Sequence, residues 1–256
     1  MLSNFLVPPA PSPWHQLILI KNLLMPIAMF AVYACLVKLF EHRAAHELNI
    51  RTGIYTVLPG ALIGSAVIAC FVLVLWLAKA ADISSGTGPA GLLTELLVPF
   101  VTALGEELLF RVILFRLIEE MTGTSIAIVV SAALFGLAHL ANPGATAMTI
   151  TALSIDMGVL LALAFVLTRN IWFAAGIHMS WNFTEGFIFG LRDSGVRDPY
   201  SLLNSTLSGS DLVSGGDFGP EGSIVLVILS LIVSAALWTA IKRKNRWEPT
   251  RIRYRR

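Results

Sequence analysis

Seven stretches of this chain are apolar enough to lie in hydrocarbon, roughly 17–40, 55–78, 92–120, 125–141, 147–168, 172–190 and 223–241. A helix rising about 1.5 Å per residue needs about 20 such residues to cross a bilayer. The expectation is an all-α polytopic membrane protein with about seven transmembrane helices. Composition agrees: 56% of the residues are hydrophobic and 13% charged, where a soluble domain carries about 25% charged. Four regions follow: 1–91 with two helices, 92–190 as the core, 191–222 as a polar segment, and 223–256 with the last helix and a basic tail. Gly, Ser and Asp crowd 191–222, which reads as a flexible loop. No whole-segment repeat and no low-complexity stretch stands out. The opening MLSNFLVPPAPSPWH lacks a basic region and a small-residue cleavage site, so no cleaved signal peptide is expected. Cys35 and Cys70 lie in apolar runs, against a disulfide framework or thiolate metal site.

Charge is unevenly placed. The last 15 residues, KRKNRWEPTRIRYRR, hold eight Lys/Arg and one Glu, leaving a net −5 on the rest of a chain whose total is +2. A tail of this kind sets topology and binds anionic lipid headgroups. No nucleic-acid partner is expected, because no nucleic-acid-binding fold accompanies the charge. Putting the tail in the cytoplasm puts Lys38, Arg43, Arg51 and Arg169 there too, and the uncharged Asn142–Pro143–Gly144 turn outside. Arg192 and Arg197 then fall outside, a mild departure from the rule. Gly60–Gly64 and Gly186–Gly190 have the small-residue spacing that lets helices approach closely, here expected within one molecule.

Three polar clusters interrupt the apolar core. They are Glu106–Glu107 with Arg111 in GEELLFRVILFRL, His139 in ALFGLAHL, and His178 with Asn182 in GIHMSWNF. Charged groups in hydrocarbon cost a few kcal/mol each, so they should face one another or a wet cavity. Residues four apart share a helix face, which pairs Glu107 with Arg111 and aligns His178 with Asn182. Glu106 points about 100° away from Glu107 and is free for a cavity. Desolvation favours the protonated carboxyl, which suits general acid/base work. Glu185 falls close to the His178 face, while Asp156 is given no role. A lone intramembrane His, or a Glu–Arg pair, is more often a brace than a catalyst; three such clusters together favour chemistry.

The motifs Glu-Glu-x-x-x-Arg, Phe-x-x-x-His and His-x-x-x-Asn resemble those of the CAAX-protease and bacteriocin-processing (CPBP, or Abi) intramembrane proteases. Here they are Glu106–Glu107–Arg111, Phe135–His139 and His178–Asn182, in the family's order, over about 92–190. The resemblance implies an intramembrane endopeptidase in which Glu106 and His139 activate a water. It further implies that His178 and Asn182 stabilise the oxyanion, while Glu107 and Arg111 support the geometry. Glu106, His139 and His178 are also a workable Zn²⁺ ligand set, although His-Glu-x-x-His is absent, so metal and metal-free routes both stay open. The implied substrate is a membrane-associated protein or peptide, either a prenylated CAAX protein or a small peptide.

The low acidic content and helix style look bacterial, which places the protein in the inner membrane. Competing readings are a small proton-coupled transporter and a non-catalytic scaffold or immunity protein; the absent repeat and small size oppose the former. In this topology His139 lies about 15 residues along its helix and His178 about seven, an offset of roughly 12 Å at 1.5 Å per residue. Convergence requires a tilted helix, or one whose start near Trp172 is recessed. The short distance from the start of its helix to His178 predicts entry of water and substrate from the cytoplasmic end.

Overall fold

The computed structural model describes residues 15–249. The opening segment and the last seven residues of the basic tail, with Arg251, Arg253, Arg255 and Arg256, lie outside the described residues. So do the signal-peptide expectation and most of the tail's proposed lipid contacts.

Helical rods form at each of the seven predicted places. α1 (His15–Leu36) runs on through a π turn to Glu41, and α2 spans Ile50–Leu77. α3 (Leu92–Glu107), a π stretch (Leu108–Phe115) and α4 (Arg116–Thr122) make one continuous rod. Gly123, at φ 88°, breaks that rod before α5 (Thr124–Leu137). α6 (Ala147–Leu153) continues through a second π stretch (Ser154–Val159) into α7 (Leu160–Thr168). α8 (Ile171–Asn182) likewise continues as a π stretch, Phe183–Ile188. Beyond the short α9 (Asp211–Ser214), α10 spans Ile224–Arg243.

Among the described residues four helices are long and apolar enough to cross a membrane: Leu24–Glu41, Ile50–Leu77, Ala147–Thr168 and Ile224–Arg243. The protein is therefore an all-α integral membrane protein. The remaining rods fall short for legible reasons. That at 92–122 carries Glu and Arg side chains, α5 has 14 residues, and α8 has 12 before its π stretch. Of the four apolar windows, Ala147–Thr168 is 67% buried and the others 39% or less, so the α6–α7 rod is the central one. Exposed Leu58, Leu62, Leu73, Val129, Ile228 and Ile232 give the outer helices an apolar surface suited to lipid.

Close helix contact is made through glycine. A Cβ on Gly60 would stand 2.4 Å from the Phe173 carbonyl oxygen, and one on Gly64 2.2 Å from that of Ile177. Gly176 returns the contact, 2.4 Å from the Val57 oxygen. The Gly60–Gly64 pair therefore packs α2 on α8 inside the molecule, as its spacing predicts. Gly186–Gly190 does something else: Gly190 is a turn residue at φ 63°, and Gly186 lies against the Asp198 carboxylate.

The two ends of the bundle differ. At one end Arg116 pairs with Glu41, Arg169 pairs with Glu119, and the Glu248 amide donates to Thr124 Oγ1. At the other, 191–222 is built rather than loose. β1 (Ala81–Ser85) pairs antiparallel with β4 (Leu203–Leu207), and β2 (Arg192–Asp193) with β3 (Val196–Arg197). Asn142 Nδ2 donates to the Ser194 carbonyl at 2.9 Å, tying 142–144 to the same end. Composition suggested a flexible loop, but hydrogen bonding to a distant partner, β1, orders it; that pairing leaves no local signal.

Because backbone faces backbone across the α2–α8 contact, Gly64→Val should destabilise the protein by about 1–3 kcal/mol or more. Thermal unfolding in detergent should show this as a lowered midpoint, while Gly105→Ala, whose added Cβ would meet the Met29 side chain at an ordinary 3.5 Å, should be nearer wild type.

Candidate active site

Arg111 is a fully buried charge, 0% exposed in the middle of the first π stretch. Its Nε lies 3.3 Å from Glu107 Oε2, one helical turn back and equally buried. Nη2 donates to the carbonyls of Met157 and Gly158, at 3.3 and 3.4 Å, within the second π stretch. The guanidinium also sits 4.4 Å from the centre of the Phe135 ring, a cation–π arrangement. A π stretch re-aims carbonyls that a regular α-helix would hold along its axis, and such bulges gather at functional sites. Two motif rods and the central rod thus meet around one cation. Gly136 and Gly158 permit the approach: a Cβ on the former would lie 2.0 Å from Ser154 Oγ, and one on the latter 2.9 Å from Ala132 Cα.

Glu107 has a second partner that spacing does not reveal. His178 donates from Nδ1 to Glu107 Oε1 at 3.0 Å, the tautomer being set by a carboxylate that can only accept. His139 donates from Nδ1 to the Phe135 carbonyl at 2.9 Å, one turn back on its own rod. Both rings contact Phe135, with centroids at 5.0 and 5.9 Å. Each therefore presents Nε2 to Glu106, whose Oε2 lies 4.0 Å from His139 Nε2 and 3.9 Å from His178 Nε2. That oxygen is buried and has no hydrogen-bond partner. Asn182, one turn beyond His178, is 7% exposed with an unpartnered Oδ1.

Glu106, His139, His178 and Asn182 line a cavity of about 270 Å³, with Val98, Pro99 and Thr102 of α3 along one wall. The two histidines converge on Glu106 despite the predicted offset of roughly 12 Å, and the start of α8 is covered by the turn that precedes α2. Asn170 and Ile171 are buried, Asn170 Nδ2 donates to the Asn49 carbonyl, and Trp172 Nε1 donates to that of Leu48. The same burial overturns the expectation that water enters from the nearer end of α8. The cavity instead extends toward Asn142, Asp193, Ser194, Asp198 and Glu221, at the end bearing β2 and β3, opposite the arginine-rich end.

These loop residues are cavity wall that sequence reasoning did not find. Burial pushes the Asp198 carboxyl up to about 6. Burial, and then the neighbouring Glu221, raise Asp193 well above the usual carboxylate range. Their only sequence signal was an Asp-containing polar segment, which is indistinguishable from a solvated loop. Glu185, whose spacing suggested the His178 face, is not among the lining residues; its carboxylate lies behind those of Asp193 and Glu221, which are.

Zn²⁺ ligands at bonds of about 2.0–2.1 Å stand about 3.4 Å apart in a tetrahedral site. Glu106 and the two imidazoles, at 4.0 and 3.9 Å, would have to close by about half an ångström to hold such an ion.

Residues 88–184 match the family model described as type II CAAX prenyl endopeptidase Rce1-like. The match contains all three motifs, in agreement with the resemblance that they carry. No curated protein and no solved structure matches the chain.

Because Glu107 answers both Arg111 and His178, Glu107→Gln should cost about 3–5 kcal/mol by leaving a buried guanidinium uncompensated. Adding Arg111→Met should recover part of that loss. Unfolding midpoints of the single and double variants measure both effects, and a double variant no more stable than the single would contradict the pairing.

Proposed function

We propose that the protein hydrolyses a peptide bond of a membrane-associated protein or peptide, using a water held between Glu106 and His139. The observation that supports this most directly is the unpartnered Glu106 Oε2, 4.0 and 3.9 Å from the two Nε2 atoms inside a cavity. Gaps of that size between polar groups suit a bridging water. The water oxygen attacks the carbonyl carbon while its proton passes to the Glu106 carboxylate. His139, with Nδ1–H committed to Phe135, offers the Nε2 lone pair that orients the same water.

The tetrahedral oxyanion forms beside His178 and Asn182. With Nδ1–H given to Glu107, His178 donates from Nε2 in its doubly protonated form, and the Glu107 carboxylate balances that charge. The Asn182 amide donates alongside. The C–N bond then breaks, the amine takes the proton from Glu106, and the second product is a carboxylic acid. A Zn²⁺ held by Glu106, His139 and His178 would instead polarise the carbonyl and lower the pKa of its water. The 3.9–4.0 Å spacing favours the water route.

The arginine-rich end is assigned to the cytoplasm, with the C-terminus, by the positive-inside rule. The cavity then opens on the opposite face of what we take to be a bacterial inner membrane. A peptide segment presented at that face fits this better than a prenylated cytoplasmic C-terminus.

Glu106→Gln should reduce proteolysis by at least about 100-fold with little change in unfolding midpoint, as expected for loss of a general base. Near wild-type turnover would remove Glu106 from this role. Metal-free protein, verified by elemental analysis, should keep full activity; activity that tracks one equivalent of Zn²⁺ would establish the metal route instead. For orientation, single cysteines at Ser194 or Val196, in a background lacking Cys35 and Cys70, should react with an impermeant thiol reagent supplied outside the cell. Reaction only in inverted vesicles would reverse the topology.

A further inference from the structure

Carboxylates that the proposed reaction does not use gather behind the cavity wall. The ligand oxygens of Glu185, Asp193 and Glu221 all lie within 4.8 Å of one another. Glu185 is 0% exposed and, apart from the Trp181 indole N–H beside it, neither of its oxygens has a hydrogen-bonding neighbour. Asp156 of the central rod is close by, also fully buried, with Oδ2 unpartnered and Oδ1 accepting from the Met157 amide. Glu221 accepts from Ser194 Oγ at 2.5 Å. Among the described residues no Lys or Arg pairs with these groups. The charges acting on them are one another's, those of Asp198 and Glu106, and the imidazoles of His139 and His178 beside Glu221.

We propose that Glu185, Asp193 and Glu221 form a calcium-binding site that fastens the 191–222 segment over the cavity. Three carboxylates with no Lys or Arg partner are a hard, all-oxygen donor set, which selects Ca²⁺, Mg²⁺ or Mn²⁺ over softer ions. Size separates these. Ca–O bonds of about 2.3–2.6 Å let ligand oxygens stand up to about 5 Å apart, whereas bonds of about 2.0–2.1 Å to Mg²⁺ limit them to about 4.2 Å. The three oxygens lie within 4.8 Å of one another, inside the Ca²⁺ limit, and three protein carboxylates suit Ca²⁺ better than Mg²⁺, which keeps several of its waters. The donors come from three places far apart in sequence: the π stretch that ends the α8 rod, β2, and the turn before α10. Asp193 and Glu221 also line the cavity, which gives the ion a route in. Glu185 lies three residues beyond Asn182, so an ion there ties the segment directly to the rod bearing His178 and Asn182.

The test is calcium binding by the intact chain in detergent, with thermal unfolding and isothermal calorimetry after treatment with a chelator. Ca²⁺ should bind at about one equivalent and raise the unfolding midpoint by on the order of 5 °C at 100-fold excess over Kd. Mg²⁺ should act more weakly. Glu185→Gln and, separately, Asp193→Asn should abolish the calcium response, while Glu106→Gln should retain it, which separates this site from any Zn²⁺ at the histidines. No calcium response in the wild type, together with an elevated midpoint for Glu185→Gln without calcium, would show a proton-sharing carboxyl cluster and overturn the proposal. A calcium response that survives in both carboxamide variants would overturn it as well. Neither readout requires a substrate or the proteolytic reading.

Discussion

Much of the core depends on keeping one guanidinium charged in an environment without bulk water. Arg111 is met by Glu107 on its own rod, by two carbonyls of the central rod, and by the face of Phe135 from α5. Leaving that cation alone would be far more costly than any single apolar contact is favourable, so these rods are bound to one arrangement. The pair is weak evidence for raw stability and stronger evidence for register. Sliding any of the three rods by a turn would strand a charge.

Glu107 carries this constraint to the cavity. One carboxylate oxygen faces Arg111 and the other accepts from His178, so the group that anchors the core also fixes an imidazole. Glu106, the next residue, turns away and keeps an unpartnered oxygen beside both Nε2 atoms. Adjacent residues on a helix thus serve opposite needs, one satisfied and rigid, the other left available. The π geometry beginning at Leu108 follows directly after them.

Local spacing made much of this legible. Glu107 and Arg111 four apart, and His178 and Asn182 four apart, correctly placed shared faces, and the hydropathy pattern placed the helical rods. What spacing could not carry was contact between rods. The Glu107–His178 bond joins residues 71 apart in sequence. The buried start of α8 depends on Asn49 and Leu48 of a distant turn. Ordering of 191–222 depends on β1, more than 100 residues earlier, which an Ala-Asp-Ile-Ser-Ser stretch does not announce. Each of these was decided by a partner that no local window contains.

The division between strongly apolar helices and those bearing the motifs bears on how the protein is made. α1, α2, the α6–α7 rod and α10 can each enter a bilayer on hydropathy alone. The 92–122 rod brings buried Glu95, Glu107 and Arg111, α5 is short, and α8 brings His178, Asn182 and Glu185. A translocating chain would gain little by releasing these three into lipid singly, because each carries or lacks what another supplies. Their lodging in the membrane is a cooperative event, and it cannot be completed until α8, made well after its Glu107 partner, has left the ribosome. Until then Glu107 lacks its histidine partner and the cavity lacks one of its walls.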